Sequence, residues 1–366
     1  MAVSGALHII VDQEVTVNQQ NKARCTMEDF ACISLLGRWM YEKVLLAEQT
    51  RETREMFAIK AINKRGTVHY EIVERLMCEQ TIIEMSTNAC HPFLVNTFTS
   101  FQTQLHACFV MEYAGRGGLL THSKGRSFTE PRAIFYSGCA VLGLEFLHER
   151  NIAHRDLKLA NLLLDSEGYM KIADFGYCKE GMGVQDHAST LIGTTDYMAP
   201  EMLTDKSYTR AADWWELGVV IFEMLVGNTP FNGNNQEEIC DRILTKDVQY
   251  PSFLSKEAVL IIQKLLCRSP QLRLGAGERD AQELREQLFF REIDWSALLA
   301  RKIQPPFVPT IQGGPKDQAH PKTVWGISNL VSTLLEQQQP EPSAFHLSST
   351  VHPRRLGTLP HTFHHF

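Results

Sequence analysis

Between residues 30 and 113 the apolar side chains come in short runs. Lys43-Val44-Leu45-Leu46 and Met56-Phe57-Ala58-Ile59-Lys60 are rich in branched and aromatic residues, which predicts strands. One segment breaks that habit. Over residues 70–85, Ile72, Leu76, Ile83 and Met85 fall near helical spacing and predict a single helix. From Gly115 onward the helical period dominates, as in 131–149, 212–226 and 256–266. The pattern predicts an α+β molecule with two lobes. The small β-rich lobe covers 30–113, the larger helical lobe covers 114–290, and the cleft between them is a natural ligand position.

The ends differ in character. Residues 1–29, with the polar stretch Asn18-Gln19-Gln20-Asn21-Lys22, read as a weakly ordered N-terminal extension. Residues 291–311 are apolar around Pro305-Pro306 and predict an extended strap on the surface. Residues 312–366, with Gln337-Gln338-Gln339-Pro340 and a His-rich end, read as a disordered tail on composition, its histidines solvated rather than metal-bound.

Composition narrows the function. With 366 residues and 44% hydrophobic content the chain can bury a large core. A net charge of −6 argues against a nucleic-acid partner, because phosphate backbones select basic surfaces. Nine scattered cysteines without a Cys-x-x-Cys pair suit reduced thiols and a cytoplasmic location. The apolar stretch at residues 6–11 is too short for a signal peptide and soon meets Asp12 and Glu14. The longest apolar run, 133–147, is too short and interrupted for a transmembrane segment.

The chemistry is concentrated in His154-Arg155-Asp156-Leu157-Lys158-Leu159-Ala160-Asn161, followed by Asp174-Phe175-Gly176 and Ala199-Pro200-Glu201. Asp156 is suited to accept or orient the proton of an attacking hydroxyl. Lys158 can stabilise negative charge on a transferring group, and Asn161 and Asp174 are hard oxygen donors suited to Mg2+. Lys60 closes an apolar run, where a lysine is costly to bury unless paired, and Glu79 follows nineteen residues on in the predicted helix.

In this order the motifs resemble those of the eukaryotic protein kinases. The hinge-like Phe109-Val110-Met111-Glu112-Tyr113 and Ala212-Asp213-Trp214-Trp215 are similar to the AGC group of Ser/Thr kinases. Glu180-Gly181-Met182-Gly183 and His91-Pro92-Phe93-Leu94-Val95-Asn96 look most like the protein kinase N catalytic domain. The resemblance covers about three quarters of the chain, residues 27–311. It implies the two-lobed kinase fold and transfer of the γ-phosphoryl group of ATP, with Mg2+, to protein Ser/Thr hydroxyls near basic residues. It implies Asp156 and Lys158 as catalytic groups and Asn161 and Asp174 as metal ligands. ATP would lie against Gly37, Val44, Ala58, Lys60, Glu79, Met111, Glu112, Tyr113 and Ala114. Thr190 would take a phosphate from an upstream kinase, with Arg155 and Lys179 as its cationic partners. Asp213 would brace the catalytic loop and Glu201 would pair with Arg273.

The chain departs from that pattern at several places. The phosphate-covering loop reads Gly37-Arg38-Trp39-Met40-Tyr41-Glu42-Lys43-Val44, with Trp39 and Glu42 where the family has glycines. A like charge at about 6 Å costs on the order of 2–3 kcal/mol at an effective dielectric of about 20, or roughly 30–150-fold in ATP affinity, unless Glu42 turns outward. Gly118 and Ala160 stand where the group has acids that hold substrate arginines, whereas Glu223 is retained. Thr195-Asp196 replaces Pro-Glu in the substrate platform, and Glu216 stands at a position that is usually small. After Thr310 neither the Phe-rich ATP-contacting segment nor the turn phosphosite and hydrophobic motif is recognisable. Two functions therefore stay open: an active Ser/Thr kinase, and a pseudokinase scaffold with weakened ATP binding.

Overall fold

Strands of alternating burial come first. The computed structural model describes residues 25–38, 42–50, 54–63, 70–103, 105–123, 126–204 and 207–308, with the side chains of 70–77 excepted. Strands β1 (Phe30–Arg38), β2 (Glu42–Gln49) and β3 (Met56–Asn63) precede helix α1 (Tyr70–Ala89), and β4 (Thr97–Gln102) and β5 (His106–Glu112) follow it. They form one antiparallel sheet in the order β1-β2-β3-β5-β4. Period-two alternation sorts its side chains between two faces. Leu45, Ala47, Phe57, Ile59, Ala61, Cys108 and Val110 bury one face, where Met27 and Phe30 join them. The register Gly37↔Val44, Val44↔Lys60 and Ala58↔Met111 puts the opposite set on the other face, towards the cleft.

Residues 25–29, assigned with the N-terminal extension on composition, instead join this lobe. Met27 is 1% exposed, and Asp29 accepts the Thr26 N–H at 2.9 Å to cap the turn. Residues 1–24 of the expected extension, and all of the expected tail, lie outside the described residues.

The second lobe is helical. Helices α2 (Leu119–Ser123) and α3 (Glu130–His148) lead to the short hairpin β6 (Leu162–Leu164) and β7 (Met170–Ile172). Then come α4 (Pro200–Thr204), α5 (Ala211–Val226), α6 (Gln236–Thr245), α7 (Lys256–Leu265), α8 (Ala281–Arg285) and α9 (Trp295–Leu299). Asn235 and Ser255 cap α6 and α7 by accepting N–H bonds three residues on. α5 is apolar nearly all round and buried accordingly, with Trp214 and Trp215 fully enclosed. Gly218 lets α7 approach: a Cβ there would sit 2.8 Å from Leu265 and 2.9 Å from Leu266.

The lobes are tied together beside the hinge. Phe93 O and Ile172 N, and Ile172 O and Val95 N, bond at 2.8 and 2.9 Å. Lys171 of β7 pairs with Glu112 of β5 at 2.8 Å. The expected Glu201–Arg273 pair forms as a buried two-pronged bridge, at 2.6 and 2.8 Å. Residues 301–308 cross the large lobe, with the Tyr169 hydroxyl within 2.7 Å of the Arg301 and Ile303 carbonyls. Cys32, Cys78, Cys90, Cys139, Cys178, Cys240 and Cys267 are free thiols. Among the described residues no helix is long and apolar enough to cross a membrane.

Candidate active site

The loop between α3 and β6 carries the reactive groups, and α5 holds it from below. Asp213 accepts the N–H groups of His154 and Arg155, each at 2.8 Å, and bonds His148 Nε2 at the same distance. Arg155 has φ +67, a conformation that a non-glycine residue holds only when its surroundings enforce it. Asp213 supplies that enforcement. Burial alone would lower the His148 pKa, but hydrogen bonds to Asp213 and Asp280 outweigh it and push the ring up to about 9.

Asp156 sits at the base of the cleft, buried. Lys158 Nζ reaches its Oδ2 at 2.6 Å, and the Thr194 hydroxyl donates to Oδ1 at 2.7 Å while accepting from Lys158 Nζ at 2.7 Å. Asn161 Nδ2 donates to the Asp156 carbonyl and to Oδ2, at 2.9 and 3.1 Å. That orientation leaves the Asn161 amide oxygen as a donor for a cation. Thr194 reaches this place because Gly193, at φ +112, passes so close to the loop that a Cβ would lie 2.8 Å from Arg155 O.

The small lobe contributes the opposite wall. Gly37, Val44, Ala58, Lys60 and Met111 share the cleft face of the sheet by register. Lys60 is 4% exposed, and its ammonium meets Glu79 at 2.6 Å and Asp174 at 2.9 Å. Burial works against a charged lysine, yet Asp174, Glu79 and Glu42 together hold its pKa well above the ordinary value. Burial likewise disfavours ionised Asp174, and Lys60 overrides it, bringing the carboxyl down to about 2.

The Glu42 side chain does not turn outward. Its Oε2 lies 3.5 Å from Lys60 Nζ, a third carboxylate on one cation. Strand parity explains this: Glu42 is two residues from Val44, so both face the cleft. Trp39 lies outside the described residues. At the hinge, Met111 and Glu112 end β5, and Tyr113 and Ala114 follow. The Glu112 carboxylate accepts from Asn96 N at 2.7 Å and Lys171 Nζ at 2.8 Å, so this side chain is committed to the lobe junction.

A lysine–glutamate pair on the small lobe thus faces a buried aspartate, a lysine and two oxygen donors on the large one. A family model for the protein kinase domain matches residues 30–290. The chain belongs to the protein kinase family. Serine/threonine-protein kinase N2 of Danio rerio is 54% identical over 301 residues, covering 82% of this chain and 31% of that protein. Serine/threonine-protein kinase N3 of Mus musculus is 51% identical over 287 residues, 78% of this chain and 33% of that one. Protein kinase C of Aspergillus fumigatus is 42% identical over 293 residues, 80% and 26% of the respective chains. The kinship with kinases of the N type that the motifs implied is borne out. The chain spans about a third of the length of those N-type relatives.

The kinase's activation segment places the remaining site residues unevenly. Thr190 is exposed, and its carbonyl accepts from the Tyr208 hydroxyl at 2.8 Å. That hydroxyl accepts from Arg155 Nη1 at 3.0 Å, so Tyr208 bridges Arg155 to the Thr190 backbone. The other Arg155 nitrogens donate to Tyr177 O and Cys178 O, at 2.7 and 3.2 Å. Lys179 bonds Ala153 through its backbone and has an exposed side chain, which the structure does not bring to Thr190. Glu223 is buried and accepts the Tyr197 hydroxyl at 2.5 Å, and burial pushes its carboxyl up. Thr194 and Tyr208 are site residues that motif reading did not assign. The Gly193-Thr194 pair beside the substrate platform was the available signal for the first. Tyr208 carried none, because its role depends on a fold contact distant in sequence.

Proposed function

We propose that this chain is an ATP-dependent serine/threonine protein kinase that transfers the γ-phosphoryl group to protein Ser or Thr hydroxyls. The observation that carries this reading is the Lys60 ammonium, which spans Glu79 and Asp174 at 2.6 and 2.9 Å. That ion pair joins β3, α1 and the segment after β7, the parts that would grip the nucleotide and its metal in a kinase. Lys60 would hold the inner phosphates of ATP. Asp156 would orient the substrate hydroxyl and take its proton, and Lys158 would stabilise charge on the transferring group. Residues 30–290 would form the kinase domain, divided at 113/114, with 291–311 as its strap.

The donor set fits Mg2+, since the Asn161 amide oxygen and the Asp174 carboxylate are hard ligands and Asp174 stays ionised at neutral pH. Bound there, the ion would neutralise the negative charge of the phosphates. Every reactive group is present and within reach of its partners, which supports catalysis over the pseudokinase scaffold. Substrates would carry Ser or Thr near basic residues, with a weak preference, because Gly118 and Ala160 offer no acid and Glu223 is taken by Tyr197. Thr190 would be phosphorylated by an upstream kinase, and free thiols suit a cytoplasmic location. Neither a nucleic acid nor a membrane is a needed partner for this chemistry.

The test is phosphate transfer from Mg-ATP to basic Ser/Thr peptides, before and after phosphorylation at Thr190. Asp156→Asn should reduce turnover by roughly 10²–10⁴-fold while nucleotide binding persists. Absence of transfer from the Thr190-phosphorylated chain would remove this reading.

A further inference from the structure

α5 offers the catalytic loop a second carboxyl, one turn beyond Asp213. Glu216 is 1% exposed, and its Oε2 accepts a 2.7 Å hydrogen bond from Leu157 N, the peptide that immediately follows Asp156. Positions three apart share a helix face, so Asp213 and Glu216 together receive the N–H groups of His154, Arg155 and Leu157. The Asp156 N–H between them turns to His154 Nδ1 at 3.3 Å. Four consecutive backbone donors are thereby anchored around the reacting carboxylate.

Packing alone does not explain an acid here. Glu216 Oε1 is buried without a hydrogen-bond partner, an arrangement that costs stability and that an apolar residue of the same length would avoid. What the acid supplies and the apolar residue cannot is the acceptor for Leu157. Burial, with Asp213 close by, raises its carboxyl well above the ordinary range. In either protonation state, the geometry of the bond is that of a carboxyl oxygen receiving the Leu157 N–H at 2.7 Å.

We propose that Glu216 is a positioning residue for phosphoryl transfer, fixing the Leu157 peptide and through it the placement of Asp156 and Lys158. The proposal rests on the phosphoryl-transfer reading for its kinetic consequence and on the Leu157 bond for its structural one. Glu216→Met keeps the side-chain length and removes the acceptor, whereas Glu216→Gln keeps an acceptor oxygen in the same place. Two readouts apply to both: amide hydrogen exchange of residues 154–161, and kcat beside KM for ATP.

The Met variant should exchange about tenfold faster in that segment and lose about tenfold in kcat, the worth of roughly one buried hydrogen bond, with KM for ATP within about twofold. The Gln variant should stay within about twofold of the parent in both. Parental exchange and kcat in the Met variant would overturn the proposal, and so would a Gln variant as impaired as Met. Should the Met variant not fold, Glu216→Gly, the small residue of the kinase pattern, takes its place with the same expectations. A parent chain without transferase activity would remove the kinase reading but leave the exchange comparison to decide whether Glu216 holds the loop.

Discussion

Three carboxylates converge on the Lys60 ammonium, and only two of them belong to the machinery common to kinases. Glu79 of α1 meets the lysine at 2.6 Å, Asp174 after β7 meets it at 2.9 Å, and Glu42 at the start of β2 approaches it at 3.5 Å. On the proposed reading, ATP would share Lys60 with Glu42 and meet that carboxylate's negative charge. Glu42→Gln should therefore lower KM for ATP by about tenfold, somewhat less than a full like-charge penalty, and leave kcat nearly unchanged. Steady-state kinetics over a range of ATP concentrations checks it. An unchanged KM would mean that Glu42 moves aside without cost. The sequence left the direction of Glu42 open, and the paired strands decide it, because two-residue parity with Val44, which faces Lys60 across the ladder, turns it to the same face. Thr194 and Tyr208 were less legible, because their contacts arise where the activation segment folds back on residues over thirty positions away.

At the scale of the element, α5 does the organising. Its apolar surface makes it the centre of the large lobe, and its polar residues hold the catalytic loop and the α3 terminus in one buried network. His148 bonds Asp213 and Asp280, and Asp280 also takes Trp214 Nε1 at 2.7 Å and Arg210 at 3.1 Å. The network was invisible to helical periodicity, which counts apolar positions and is silent on which buried histidine finds which acid. Its titration has a definite sign. His148 is raised from 6.5 to about 9 in the folded chain, so both states are protonated below pH 6.5 and the full stabilisation is present there. As pH climbs from 6.5 towards 9 the unfolded chain releases the proton first, and on the order of 3 kcal/mol is lost. The raised carboxyl of Glu216 leans the same way, so the informative quantity is a difference. His148→Gln should show a shallower fall in melting temperature between pH 6.5 and 9 than the parent chain. Parallel curves would show that His148 is neutral in the fold. The Glu201–Arg273 bridge tests the same lobe differently. Arg273→Ala strands a buried carboxylate, costs about 3–5 kcal/mol, and should lower the melting temperature by roughly 10 °C in a thermal scan.

For the whole molecule, the change of hydrophobic period near Gly115 already marked two lobes, because strands and helices bury side chains at different intervals. That pattern also gave the cleft between them, but the residues lining it were legible only through motifs, since its walls come from β2, β3, β5, the loop between α3 and β6 and the segment after β7. Once assembled, that cleft is rich in negative charge. Glu42, Glu79, Asp156 and Asp174 line it, while Lys60 and Lys158 are already engaged by them. A bare triphosphate entering there meets repulsion that a hard divalent cation removes. Mg-ATP at about 100 times its dissociation constant should stabilise the fold by about 2.7 kcal/mol, a rise of roughly 5–10 °C. ATP in excess chelator should give less than about a third of that shift, and Glu42→Gln should narrow the gap by relieving one of the repelling charges. Because Lys60 belongs to one lobe and Asn161 and Asp174 to the other, the rise should appear in a single unfolding transition rather than in one of two. Equal shifts with and without Mg2+ would mean that the nucleotide binds away from Asn161 and Asp174.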